Sequence, residues 1–174
     1  MSMNACELWD LYNKHREFTG KTHKRGQPLP HEMYHTVVCS WVMNSKGQFL
    51  IMRRALECDW LPGIWSAPGG CAISGESSLV ATVREVKEEV GIHLNPKNGE
   101  LFCSYRADSA FFDHWLFKEE YDIACAVLQE SESMDVKSAS WDEIARMKEN
   151  GSFMGKRHFG VNFDAFDLLK SYAA

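Results

Sequence analysis

Three glutamates, Glu85, Glu88 and Glu89, follow Arg84 in the stretch GGCAISGESSLVATVREVKEEVGI, residues 69–92. On a helix, carboxylates at i, i+3 and i+4 share one side and repel, at a cost of a few tenths of a kcal/mol per pair. A cation held among them removes that repulsion, and hard carboxylate oxygens suit Mg²⁺ or Mn²⁺ better than softer metals. The competing possibility is an ordinary solvated acidic face. The surrounding residues decide between the two.

The element that must position these groups is a helix beginning at Glu76 or Ser77. Leu79, Val83, Val86 and Val90 recur at steps of four, three and four, and Gly91 supplies a C-terminal stop. The wheel places these apolar residues on one side and the three glutamates on the other, which predicts one buried face and one acidic face.

Read outward, the spacing is Gly70, five residues, Glu76, seven residues, then Arg84-Glu85-Val86-Lys87-Glu88-Glu89-Val90-Gly91-Ile92. It matches G-x5-E-x7-R-E-U-x-E-E-x-G-U, with U aliphatic, at every specified position, a coincidence on the order of 10⁻¹⁰ per starting position at average residue usage. On this box, residues 70–92, the chain resembles the Nudix hydrolases. The resemblance implies an α/β/α sandwich with a mixed sheet. It also implies hydrolysis of a nucleoside diphosphate linked to another moiety, with Mg²⁺ (or Mn²⁺) as cofactor. Glu85, Glu88 and Glu89 would bind the metal or activate water, and the Gly70 carbonyl would face the metal. Arg84 would orient the first glutamate through Glu76 or directly, and Gly91 would end the helix. A further acid outside the box is expected as ligand or base, with Asp135 the candidate and Glu132, Glu119 and Glu120 its rivals.

The segments ELWDLYN, PLPHEMYHTVVCSWVMNSKGQFLIMRR and PGIWSAPGG are similar to the Nudix subgroup related to isopentenyl-diphosphate isomerase. Isomerisation is therefore one alternative. However, WSAPGGCAISGE lacks the Asn, His and Pro of the isomerase's cysteine segment, and Cys71 falls one step late. A non-catalytic binding module is the other alternative, against which stands the complete set of box glutamates.

Residues 1–30 read as a hairpin extension and 31–174 as the main domain. Strands are expected at 7–12, in the YHTVVCSWVM and QFLIMRR runs joined by the turn NSKG, and at LFCSYRA, AFFDHWLF and YDIACAVL. QESESMDVKSA is expected as a polar loop. SWDEIARMKENG is a helix opened by a capping box, Ser140 with Glu143, and FDAFDLLKSY is a last helix.

Other chemistries find less support. GKT at residues 20–22 lacks the upstream glycine of a P-loop, since His15 stands there. The six cysteines form no C-x-x-C pair and the histidines show no zinc spacing. Arg53 and Arg54 end a strand before the box, and alternation sends at most one of them towards a substrate phosphate. The basic segment containing Lys14, Arg16, Lys21, Lys24 and Arg25 could meet phosphates or be solvated. Trp41, Trp60, Trp65, Trp115 and Phe112 include candidates for base stacking. A net charge of −5 argues against a nucleic-acid polymer as partner, and no apolar run suits a bilayer. The expectation is a cytoplasmic enzyme acting on a small diphosphate, with a homodimer possible through the hairpin.

Overall fold

The computed structural model describes residues 7–155 and 165–173. The two apolar runs after Tyr34 become β3 (His35–Met43) and β4 (Gln48–Arg54). Asn44 Oδ1 accepts from the Lys46 and Gln48 N–H groups, and Gly47 takes φ 69°, closing the expected turn. The hairpin then opens: Met43↔Phe49 is the pair recorded between these strands among the described residues. β3 goes on to pair antiparallel with β6 (Gly69–Cys71) and in parallel with β8 (Ala110–Lys118), which is flanked by β7 (Gly99–Ala107). β4 pairs with β5 (Trp65–Ser66) and β9 (Ser133–Ser140). The result is a seven-stranded mixed sheet.

Alternation along these strands feeds two cores. Trp41, Phe49 and Ile51 bury against Ile144 and Met147 of α2 (Trp141–Asn150) and Phe166 and Leu169 of α3 (Ala165–Ala173). Val42, Leu50 and Met52 bury on the opposite face against Val86 and Val90 of α1 (Ser78–Val90). Helices thus cover both faces of the sheet, the expected α/β/α layering. Ser77 caps α1 by accepting from the Val80 N–H, and Gly91 ends it in the left-handed region at φ 73°. Ser140 caps α2 as expected, while the Glu143 carboxylate turns to Lys137 Nζ at 2.6 Å.

Two expectations are corrected. Residues 121–128 form no strand; they hold a short 3-10 turn, Ile123–Cys125. This segment's apolar side chains pack on the α1 core, and its backbone caps the helix. The Val127 and Gln129 N–H groups donate to the Val90 and Glu89 carbonyls, which α1 leaves without intrahelical partners. Conversely, much of the expected polar loop at 129–139 is strand β9. Ser133 and Ala139 are its buried residues, and pairing with β4 supplies the hydrogen bonds that a hydrophobic pattern would have announced.

The N-terminal hairpin forms as β1 (Leu8–Tyr12) and β2 (Phe18–Lys24). It is tied down at both ends. Asp10 accepts from Ser74 Oγ at 2.6 Å and the Gly75 N–H at 3.0 Å, in the loop leading to α1. At the turn, Arg16 Nη1 donates to Ser104 Oγ at 2.7 Å and to Asp113 Oδ1 at 2.8 Å. Asp113 is fully buried, yet the hydrogen bonds from Arg16, Ser104 and Ser78 outweigh desolvation and hold its carboxyl below the usual range. Among the described residues no helix is long and apolar enough to cross a membrane.

Candidate functional site

Strand β6 is the three residues Gly-Gly-Cys, and its missing side chains bring α1 against the sheet. A Cβ on Gly69 would lie 2.1 Å from the Val38 carbonyl oxygen, and one on Gly70 would lie 2.4 Å from Glu85 Oε1. The Glu85 carboxylate therefore occupies the place of a side chain at position 70. Next to it, the Gly69 N–H donates to Glu89 Oε2 at 2.8 Å.

This contact corrects the simple division into one buried and one acidic face. Glu89 is 3% exposed, whereas the Glu85 and Glu88 side chains are 13% and 51% exposed. Helix α1 is buried on two sides, by the Val86–Val90 stripe and by the flank facing β6, whose glycines let it approach.

Arg84 organises the cluster. Nε and Nη2 fork onto the two Glu76 oxygens at 2.9 and 3.0 Å, Nη1 reaches Glu85 at 3.0 Å and Glu88 at 2.9 Å, and Nη2 also donates to the Cys71 carbonyl at 3.0 Å. Glu76 and Arg84 thus form an ion pair, and Arg84 reaches the first glutamate as well. The electrostatics of the glutamates remain unfavourable even so. Burial, only partly offset by Arg84, pushes Glu85 up to about 7. Burial and the nearby Glu85 charge raise Glu89 well above the ordinary carboxylate range, against the Gly69 N–H, which favours its ionised form.

Glu85, Glu88 and Glu89 line one cavity of about 610 Å³, together with Gly69, Gly70 and Cys71. Of the two strand-end arginines, Arg54 lines it, while Arg53 donates from Nε to the Gly63 carbonyl and does not. The candidate outside acid is corrected similarly. Asp135 is exposed on β9, paired in register with Arg53, and is absent from the cavity wall, where its rival Glu132 stands. Arg25 alone of the basic segment reaches the wall, and Arg16 is spent on Asp113. Among the aromatic candidates, Trp60 and Phe112 line the cavity, Trp41 is core, and Trp65 and Trp115 pack against the two cores. Sequence reasoning missed Trp9, His35 and Gln129 on the wall; no motif marks them, because the fold draws them from three separated segments.

In donor chemistry the carboxylates fit a divalent cation: they are hard oxygens on one wall, and a cation beside them would offset the burial that raises Glu85 and Glu89. Among the described residues no three His, Cys, Asp or Glu side chains converge as a ready-made cage, since Arg84 Nη1 engages both Glu85 and Glu88. Cys71 presents no thiolate: burial pushes its thiol up to about 12.

Comparison with known proteins agrees with this geometry. The NUDIX domain family model matches residues 33–157. A Nudix hydrolase of Listeria innocua, itself uncharacterized, is 35% identical over 149 residues, 85% of this chain and 88% of that protein. An isopentenyl-diphosphate Delta-isomerase of Escherichia coli is 34% identical over 79 residues, covering 45% of this chain and 43% of the isomerase. The crystal structure of DR0079 from Deinococcus radiodurans superposes with a TM-score of 0.70 at 21% identity, over 87% of this chain and 95% of that one.

Proposed function

This chain belongs to the Nudix family of hydrolases, and from that premise we propose that it is a metal-dependent pyrophosphohydrolase acting on a nucleoside diphosphate derivative. The observation that carries the reading is the meeting of Glu85, Glu88 and Glu89 on one wall of a cavity of small-molecule size. Glu85, Glu88 and Glu89, with Glu132 near, would hold Mg²⁺, whose charge neutralises a diphosphate and lowers the pKa of water bound to it.

The chain's own residues supply the rest. Arg84 is a positioning residue: its guanidinium is committed to Glu76, Glu85, Glu88 and a backbone carbonyl, so it orients carboxylates rather than substrate. Beside a bound cation Glu89, fixed by the Gly69 N–H, and Glu85 would be ionised, and one of them would then take the proton of attacking water. Arg54 donates from Nε to the Trp60 carbonyl, which aims its guanidinium along the cavity wall for a phosphate oxygen. The five described cysteines are free thiols, which favours a reducing cytoplasmic setting.

The test is a panel of diphosphate compounds, including isopentenyl diphosphate, incubated with and without Mg²⁺ in ¹⁸O-labelled water and followed by phosphorus NMR. Cleavage of a nucleotide class that EDTA abolishes, with label in one product phosphate, is expected. Glu89→Gln is expected to lower kcat by about 10²-fold or more. Isomerised isopentenyl diphosphate with no labelled phosphate would replace the hydrolase by the isomerase.

A further inference from the structure

The hydrolytic reading leaves one wall of the cavity without a task. The hairpin contributes Glu7, Trp9 and Arg25 to it, opposite His35 and Val37 of β3. Glu7 and Arg25 satisfy one another in an ion pair at 2.7 Å. Trp9 and His35 stack, with ring centroids 4.2 Å apart and planes 10° from parallel. Their polar edges are not satisfied: Trp9 Nε1 and His35 Nδ1 are both buried and have no hydrogen-bond partner.

Buried polar atoms are nearly always paired, so two orphans on adjoining stacked rings at a cavity wall call for an explanation. Looseness of the hairpin does not provide one, because Asp10, next to Trp9, and Arg16, at the turn, both pin it to the main sheet's loops and strands. The indole offers a donor only. Burial, then His23 and Arg25 nearby, outweigh the Thr36 backbone, which favours the charged ring, and push His35 down to about 4, so its ring is neutral at physiological pH and Nδ1 accepts or donates according to tautomer.

We propose that Trp9 Nε1 and His35 Nδ1 form a specificity subsite for the neutral, polar moiety that the diphosphate carries, a group presenting a hydrogen-bond acceptor and donor side by side. The placement of the diphosphate rests on the hydrolase reading; the subsite itself rests on the two orphaned atoms. The spacing agrees. Val38 pairs with Gly70, against which Glu85 lies, and His35 is three residues further back along β3, roughly 10 Å at strand rise. Both ends of that span line the one cavity, so a ligand whose diphosphate meets the glutamates can extend towards His35. Sugar hydroxyls and the lactam edge of a nucleobase both supply the required pair. A hydrocarbon tail supplies neither, leaves both atoms unmatched, and is disfavoured for that reason.

The experiment reads the tryptophan indole resonances in ¹H–¹⁵N correlation spectra of the full chain, with that of Trp9 assigned by its loss in Trp9→Phe. Ribose 5-phosphate, uridine monophosphate and isopentenyl diphosphate are titrated separately. A Trp9 indole shift with ribose 5-phosphate identifies sugar hydroxyls as the ligand group; a shift with uridine monophosphate but not ribose 5-phosphate identifies the base edge. Isopentenyl diphosphate is expected to leave this resonance in place. A Trp9 indole unmoved by all three, or moved equally by isopentenyl diphosphate, overturns the subsite. In turnover, Trp9→Phe and His35→Phe, which keep the stack, are expected to raise KM for the cleaved nucleotide by about tenfold or more and to lower kcat much less. An unchanged KM in both variants also overturns it. The two readings separate cleanly: a Trp9 shift without any hydrolysis removes the hydrolase and leaves the subsite, and hydrolysis with an unmoved Trp9 does the reverse.

Discussion

Replacing either glycine of β6 by alanine adds the same methyl group with opposite expected consequences. In Gly70→Ala the new Cβ would stand 2.4 Å from Glu85 Oε1, 2.6 Å from Cδ and 2.8 Å from Oε2. Ordinary contact requires the carboxylate to withdraw by about 1 Å, and the far end of a glutamate does so cheaply by rotating. Gly70 does not hold a positive φ, so alanine adds no backbone strain and restricts the unfolded chain slightly. Stability should stay within about 1 kcal/mol, or a few degrees in Tm for a chain of this size. The displaced carboxylate is one of the three tied to Arg84, and misplacing a reacting group by about 1 Å is enough for a loss on the order of 10²-fold in kcat/KM. In Gly69→Ala the obstacle is backbone, the Val38 carbonyl at 2.1 Å, so β6 must leave β3 and the Gly69 N–H must leave Glu89. That costs about 3 kcal/mol or more, a fall in Tm of roughly 6 to 12 °C. The assays are thermal unfolding and steady-state hydrolysis of the cleaved substrate. A further variant, Gly70→Ala with Glu85→Asp, shortens the acid by about 1.5 Å; it relieves the contact but leaves the carboxylate withdrawn, so activity should stay low while stability matches that of the native chain. Full activity in Gly70→Ala, or unfolding of it as severe as that of Gly69→Ala, would refute the reasoning.

Three further outcomes are expected. Val86→Asp places a charge at a fully buried position facing Leu50 and Met52, and should unfold the chain at 25 °C, read by far-UV circular dichroism. Arg16→Met leaves the buried Asp113 carboxylate without its cation and should destabilise by about 3 kcal/mol in urea unfolding, whereas adding Asp113→Asn should recover much of it; equal loss in both would exclude the ion pair as the cause. In metal-free protein, Glu85 and Glu89 titrate above their ordinary 4.5, so the folded state holds protons that the unfolded chain has released, and stability falls as pH rises. The neutral His35 works in the opposite sense between about pH 4 and 6.5, where it offsets one of the two carboxylates, so the decline should steepen above pH 6.5, towards the 7 at which Glu85 titrates, at up to about 1.4 kcal/mol per pH unit for each proton released. Glu89→Gln should flatten that decline, and Mg²⁺ should stabilise more at pH 8 than at pH 6.5, since it competes with those protons; calorimetric scans across this range check both.

Local pattern determined a good deal of this protein. The 3.6-residue period placed Val86 and Val90 in the core, Ser77 and Gly91 bounded α1, and the box spacing brought Gly70, Glu76, Arg84 and the three glutamates into one cluster. These features are legible because each depends on residues within a few helical turns of one another. Tertiary structure decided what local pattern could not: that Glu89 is buried rather than solvated, that Glu132 and not Asp135 reaches the cavity, and that 133–140 is a strand while 121–128 caps a helix. An edge strand takes its hydrogen bonds from a partner distant in sequence and needs no apolar run, so polar β9 gave no signal. The Trp9–His35 wall arises in the same way, from a hairpin docked through Asp10 and Arg16 onto loops and strands far along the chain. Burial is a property of what packs above a residue, and for these groups the covering segments lie 20 residues away or more.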